Sequence, residues 1–186
     1  MQPHWMQRIY PSPWTPEEYE ATEAHRQVVP DSACPRCQVA GTLQRHGTYE
    51  RWIISVLGLL LRIGIARFLC PACRHTISYL PDFALTYRPI AVETLEGFLE
   101  GEHQRADVRT FFNLLQSYRR RLDWFSPELI RTVGSGLGIP PPPLSSSVWP
   151  WIKRAGEGLR PLTRRLVSRF KIGLFHRYDC HQPARI

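Results

Sequence analysis

Cys34-Pro35-Arg36-Cys37 and Cys70-Pro71-Ala72-Cys73 are two Cys-x-x-Cys pairs, each with proline directly after the first sulfur. They hold four of the five cysteines, and the 32 residues 38–69 separate them. Tetrahedral zinc takes four soft ligands, and one Cys-x-x-Cys turn delivers two thiolates from a single tight loop. The spacer is longer than the common sequence template, but it has room for a β-hairpin or three short strands. The pattern predicts a zinc ribbon with one structural Zn2+ held by Cys34, Cys37, Cys70 and Cys73. Two other readings start from the same residues. Disulfides need an oxidising compartment. No charged, apolar, cleavable leader follows Met1, so export is not expected. Rubredoxin-type iron also sits between paired thiolate loops. Rubredoxins are acidic and carry glycine after each knuckle, where this basic chain has Gln38 and Arg74.

A length of 186 residues suits one domain with extensions, or two small domains. The composition is globular, with 43% hydrophobic residues, and 17 prolines require extended or turning segments. The formal charge is +8, and all but Lys153 and Lys171 of the 24 basic residues are arginine. Arginine binds phosphate bidentately and stacks on bases. A GC-rich genome explains the same bias. Residues 131–186 carry ten basic and two acidic groups and so account for the whole excess. Such a segment favours a polyanion, either nucleic acid or an anionic membrane surface. The longest uncharged apolar run, Trp52–Leu61, stops at Arg62, well short of the ~20 residues of a membrane span. Gly58 inside it reads as a hairpin turn.

The expected fold class is α+β: a zinc-ribbon β-domain, then a small helix-turn-helix-like helical bundle, then a basic tail. Residues 1–30 form an N-terminal extension. There Thr15-Pro16-Glu17-Glu18 reads as cap, proline and acidic first turn of a short helix to about Arg26. Residues 31–88 are the ribbon. Gly41–Gly47 reads as a strand into a turn, alternation over Arg62–Leu69 as a second strand, and His75–Leu80 as another. Residues 89–138 predict three helices: one through Ala91–Glu100, one over 107–123 capped by Asp107, and one starting at Ser126-Pro127-Glu128. Residues 139–147, with four successive prolines and three serines, are a linker. Residues 148–186 are the tail, where Leu159, Leu162, Leu166 and Phe170 oppose Arg160, Arg164, Arg165, Arg169 and Lys171.

The 107–123 helix carries an apolar stripe from Val108 to Leu122 and an opposite polar one. Arg105, Arg109, Asn113, Gln116 and Arg120 make the polar stripe, and these types read guanine (Arg) and adenine (Asn, Gln). An ordinary solvated face accounts for that helix equally well. Arg36, Arg45 and Arg67 would dock the ribbon on the duplex backbone, and Arg164, Arg165 and Arg169 would add phosphate contacts. The acidic Glu93, Glu96 and Glu100 do not belong on phosphate. His46 and His75 lie near knuckles whose four cysteines already fill a closed site. His176, Cys180 and His181 make a weak second metal pattern in the tail.

Four further pieces surround the knuckles: Leu43-x-Arg45-His46-Gly47-x-Tyr49, Arg67-Phe68-x-Cys70, Thr76-x-Ser78 and Leu80-Pro81-Asp82-Phe83. With the cysteines they resemble a bacterial family of uncharacterised, transposase-like zinc-ribbon proteins. In that family the ribbon precedes a helix-turn-helix, as in the N-terminal parts of insertion-sequence transposases. A transposase cuts DNA with an RNase H-like domain whose three carboxylates hold two metal ions. Beyond Glu128 this chain has only Glu157 and Asp179 as acids, so that triad has no place. The resemblance implies a non-enzymatic, zinc-dependent protein that binds double-stranded DNA in the bacterial cytoplasm, at the nucleoid. It would belong to a mobile element, with a transposase or another protein of that element as partner. Two alternatives use the same residues. One is a protein–protein interaction module built on the ribbon and its apolar 52–61 hairpin. The other is the remnant of a truncated transposase.

Overall fold

The computed structural model describes residues 6–86, 88–102, 109–143, 147–156, 158–170 and 172–175. Strands β1 (Met6–Tyr10), β2 (Gln44–Ile54), β3 (Leu60–Cys70) and β4 (His75–Pro81) form one sheet in the order β1-β4-β3-β2. The last three make an antiparallel meander, and β1 adds parallel to β4, with Arg8 beside Tyr79. The 52–61 run folds back as read. Gly58, at φ +74°, sits in the β2–β3 turn, where the Ser55 amide donates to Leu59 O and the Gly58 amide to Ser55 O. Positive φ is cheap only for glycine. Gly47 is not a turn. It lies inside β2 at φ +111°, next to a register shift between Arg45 and Gly47, and so marks a β-bulge.

Alternation along β3 sends side chains to two faces. Ile63 and Ile65 are buried with Ile53, Leu80, Phe83, Ala84 and Ala91. Ala66, Phe68 and Cys70 are buried with Ile77, Tyr79 and Val28. Helix α1 (Pro16–Ala21) closes on the sheet. Its capping box is complete: Thr15 Oγ1 accepts from the Glu18 amide, and Glu18 Oε2 from the Thr15 amide. Tyr19 is fully buried, and its hydroxyl donates to Gly64 O. The helix expected to reach Arg26 ends earlier. Glu23 turns to φ +49°, and a 3-10 turn over Ala24–Gln27 replaces the rest.

Helix α2 (Val92–Glu100) ends on Gly101 at φ +94°. Helix α3 (Arg109–Leu129) passes straight through Ser126-Pro127-Glu128, where a new helix was expected. Proline at 127 cannot donate to the carbonyl four residues back. The Ser126 hydroxyl donates to that carbonyl, Asp123 O, at 2.7 Å instead. The helix then runs on through a π turn (Ile130–Gly134) into the short α4 (Ser135–Leu137). Two long helices thus stand where three were expected among the described residues of 89–138; the Asp107 cap lies outside them.

The segment read as a basic tail packs into the helical core. Helices α5 (Val148–Gly156) and α6 (Leu159–Arg165, extended by a π turn to Phe170) carry Trp151, Ile152, Leu159, Leu162 and Leu166 into one core. Leu95 and Phe98 of α2 and Leu115, Tyr118, Leu122 and Phe125 of α3 complete it. Each Leu or Ile buried this way contributes about 1.5–3 kcal/mol. The proline segment before α5 is tied down as well. Ile139 packs on this core and Trp151 Nε1 donates to Pro140 O at 2.8 Å. Among the described residues, no helix is long and apolar enough to cross a membrane.

Candidate metal centre and basic surfaces

The two knuckles have the same backbone. In the first, the Gln38 amide donates to Cys34 O at 2.9 Å; in the second, the Arg74 amide donates to Cys70 O at 2.7 Å. Gln38 at φ +60° and Arg74 at φ +57° take the left-handed conformation that glycine usually fills after such a loop. The missing glycines therefore leave the loop geometry intact. The meander supplies the convergence: β3 runs into the second knuckle, and the first leads into β2 beside it.

Sγ of Cys34 lies 3.8 Å from that of Cys73, and Sγ of Cys37 lies 3.7 Å from that of Cys70. All four sulfurs are within 4.8 Å of one another, so the group could hold a metal ion. A regular tetrahedron with metal–sulfur bonds of ~2.3 Å has edges of about 3.8 Å. Cys34 and Cys70 are buried, while Cys37 and Cys73 are half-buried. Burial opposes ionisation of Cys70. The Thr42 hydroxyl at 3.3 Å, the Cys73 amide and the neighbouring thiols outweigh it and bring this thiol down to about 6. Burial pushes Cys34 up, and Cys73 up to about 12, as expected when neighbouring sulfurs cannot all ionise without a cation. A divalent ion reverses that balance and deprotonates its thiols outright. Thr42 was not singled out in the sequence; a hydroxyl five residues past a knuckle carries no recognisable signal. His75 Nδ1 lies 2.6 Å from Cys73 O, His46 is exposed, and neither joins the four-sulfur group. Arg105, His176, Cys180 and His181 lie outside the described residues.

The remaining basic positions divide by partner. Arg45 Nη2 donates to Arg26 O and Val28 O, and its guanidinium covers the Phe68 ring at 5.1 Å, so it fastens the 3-10 turn to the sheet. Arg67 lies over the Tyr49 ring, and Arg36 Nη1 is buried without a hydrogen-bond acceptor among the described residues. Arg165 caps Ala155 O, and Arg164 sits 3.7 Å from the Asp82 carboxylate. Asp82 is 7% exposed and also accepts from the Ser12 amide. Arg160 pairs with Glu93 and approaches Asp82, and Lys153 pairs with Glu100. The acidic side of α2 is thus the counterpart of α5 and α6, and much of their charge is neutralised internally. Arg169 is exposed beside Phe170.

On α3 the arrangement differs. Arg109 begins the helix, and Asn113, Arg119, Arg120 and Arg121 are exposed. Gln116 leaves the stripe and lines a cleft of about 430 Å³ with Phe98, Leu99, Phe112 and Arg119. Trp124, which the sequence reading passed over, is 76% exposed. Asn113, Arg120 and Trp124 are spaced by seven and four, which places them on one line along the helix.

Residues 34–115, from the first knuckle into α3, match a family described as a domain of unknown function (DUF6431). No curated protein and no solved structure matches the chain.

Proposed function

We propose that the chain is a non-enzymatic, zinc-stabilised protein that binds double-stranded DNA through α3. The carrying observation is the exposed line Asn113–Arg120–Trp124, flanked by Arg119 and Arg121, on a helix whose other side is spent on the core. Arginine and asparagine are the types that read guanine and adenine edges, and an exposed indole adds a stacking or backbone contact. Two sulfur–sulfur distances of the site, 3.8 and 3.7 Å, match the edge of a zinc tetrahedron, and in this reading the ion holds the ribbon together rather than doing chemistry. The mobile-element association rests on the sequence resemblance from Cys34 to about Tyr87, and with it a transposase as partner and a nucleoid location. Within this reading α6 is a brace and not a DNA arm, because Arg160 and Arg164 face Asp82 and Glu93.

Fluorescence anisotropy with duplex pools at rising salt tests the reading. The logarithm of affinity should fall by about 0.9 per neutralised phosphate against the logarithm of salt. Arg120→Ala should lower the slope by about one if Arg120 meets a phosphate, or relax base preference if it meets a base. Salt-insensitive binding, or none to any duplex, refutes it.

A second reading has its own observation. The β2–β3 hairpin ends in exposed Val56, Leu57, Leu59 and Leu60 beside Trp52, with Leu57 at 71%. Contiguous exposed apolar groups mark contact surfaces, here for a protein partner. Under it, Leu57→Asp abolishes capture of that partner and leaves duplex binding unchanged.

A further inference from the structure

The loop between the first knuckle and β2 is tied into one shape. The Cys34 amide donates to Val39 O at 3.0 Å, and the Gly41 amide to Ser32 O at 2.8 Å. The strand that follows sets Gln44 beside Leu69, so residues just before it arrive at the end of β3, where Cys70 stands. Thr42 is the residue delivered there. Its Oγ1 lies 3.1 Å from Val39 O and 3.3 Å from Cys70 Sγ. A side chain on the first knuckle's loop thus touches a sulfur of the second knuckle.

A hydroxyl has one proton to donate and can also accept. Two partners compete for the Thr42 proton. The Val39 carbonyl only accepts. A thiol at Cys70 can donate to Thr42 Oγ1 and leave the hydroxyl proton on Val39 O. A metal-bound sulfur is a thiolate and accepts as well, so the proton then has two acceptors and goes to the stronger. Hydrogen bonds to an ionised partner are about twice as strong as those between neutral groups. Val39 O keeps the Cys34 amide when the hydroxyl turns away, so the turn leaves no carbonyl unpaired. Cys70 is fully buried, which keeps water from the sulfur and strengthens the bond that replaces it.

We infer that Thr42 is a positioning residue of the metal site, whose hydroxyl proton passes from Val39 O to Cys70 Sγ when an ion binds. A divalent ion ringed by four thiolates keeps a net negative charge, and a donor on Cys70 offsets part of it. The same bond ties the two knuckles together on the loaded side. The inference rests on the reading of the four cysteines as a metal site and is independent of any contact with DNA.

The test uses the intact chain, loaded with zinc or with cobalt(II) as its coloured substitute. Thr42→Val keeps the branched shape and removes the hydroxyl. Thr42→Ser keeps the hydroxyl and removes the methyl group. Competition with a chromophoric chelator should find zinc held about 10–100-fold more weakly by Thr42→Val, and within about threefold of native by Thr42→Ser. In the cobalt form, the sulfur-to-metal charge-transfer band should move to longer wavelength in Thr42→Val, because a sulfur without its donor gives up charge more readily. It should return in Thr42→Ser. Native affinity with an unmoved band in Thr42→Val overturns the proposal and leaves the metal site standing. A loss of about tenfold or more in Thr42→Ser also overturns it, since the methyl group and not the hydroxyl would then matter. A native chain that takes up neither ion refutes the metal site, and the proposal with it.

Discussion

Replacing Cys70 by serine removes one of the four clustered thiols and tests what an ion held by them would support. The Cys70 side chain is fully buried, 3.7 Å from Cys37 Sγ and 3.3 Å from Thr42 Oγ1, on the last residue of β3. Structural zinc supplies about 10–16 kcal/mol of apparent folding free energy in small sites. A whole domain is stable by only about 5–15 kcal/mol. Loss of one ligand therefore exceeds what the ligand end of the sheet can absorb. That end has only the small cluster of Val28, Ala66, Phe68, Ile77 and Tyr79 around Cys34 and Cys70. The helical core shares no residue with it. Cys70→Ser should thus open residues 34–48 and 66–78 and leave α2, α3, α5 and α6 closed. Hydrogen–deuterium exchange read by mass spectrometry, on the loaded chain, the chelated chain and the variant, separates these regions. Elemental analysis should find one ion per loaded chain, and a colourless preparation excludes the iron alternative. Identical exchange in all three samples would show that the four sulfurs hold no ion of structural consequence.

Three further outcomes follow from packing and charge. A Cβ on Gly64 would stand 2.5 Å from His25 Nδ1, so Gly64→Ala should cost about 1–3 kcal/mol in urea denaturation; an unchanged midpoint would mean that His25 does not press on β3. Burial holds His25 below its ordinary value near 6.5, so the unfolded chain takes up its proton more readily. The stability due to neutral His25 should be present above about pH 6.5 and fade as pH falls below it, and His25→Gln should flatten that dependence. Arg160→Ala strips the partner from Glu93 and weakens the hold on buried Asp82. It should cost about 2 kcal/mol by thermal melting, less than the ~3–5 of fully buried pairs because Arg160 is partly exposed. A melt within experimental error of the native chain would reduce these ion pairs to surface decoration.

Local spacing made the strand meander and its two cysteine turns readable. Two Cys-x-x-Cys turns, Gly58 in an apolar run and the alternation of β3 each state their structure within a few residues. The α1 cap was equally local. Strand β1 was not readable, because five residues have no period and their partner is β4, some seventy positions away. The same holds for α5 and α6. Their charge looked like an arm for a polyanion because composition cannot show that Glu93, Glu100 and Asp82 wait across the fold. Ser126-Pro127-Glu128 carries a true helix-start signal, overridden by one serine hydroxyl and by burial of Leu122, Phe125 and Leu129 along an unbroken stripe. On the site side, the four cysteines that could hold a metal ion follow from the sequence alone. The arginines did not sort themselves there, since Arg45 and Arg120 differ in partners and not in type.

Strand β1 also sets the order in which the chain can be completed during synthesis. Tyr10 pairs beside Pro81, and the Arg160 guanidinium later donates to Ser12 O. At about 5–20 residues per second, a ribosome needs roughly 4–14 s between making the first strand and making its neighbour. The knuckles and meander can close on an ion in that interval, since all their parts lie between Cys34 and Pro81. Residues 6–10 meanwhile lack the β4 backbone partners that complete their strand. Slower translation across residues 11–81 is therefore expected to lengthen the time that residues 6–10 spend without their strand neighbour.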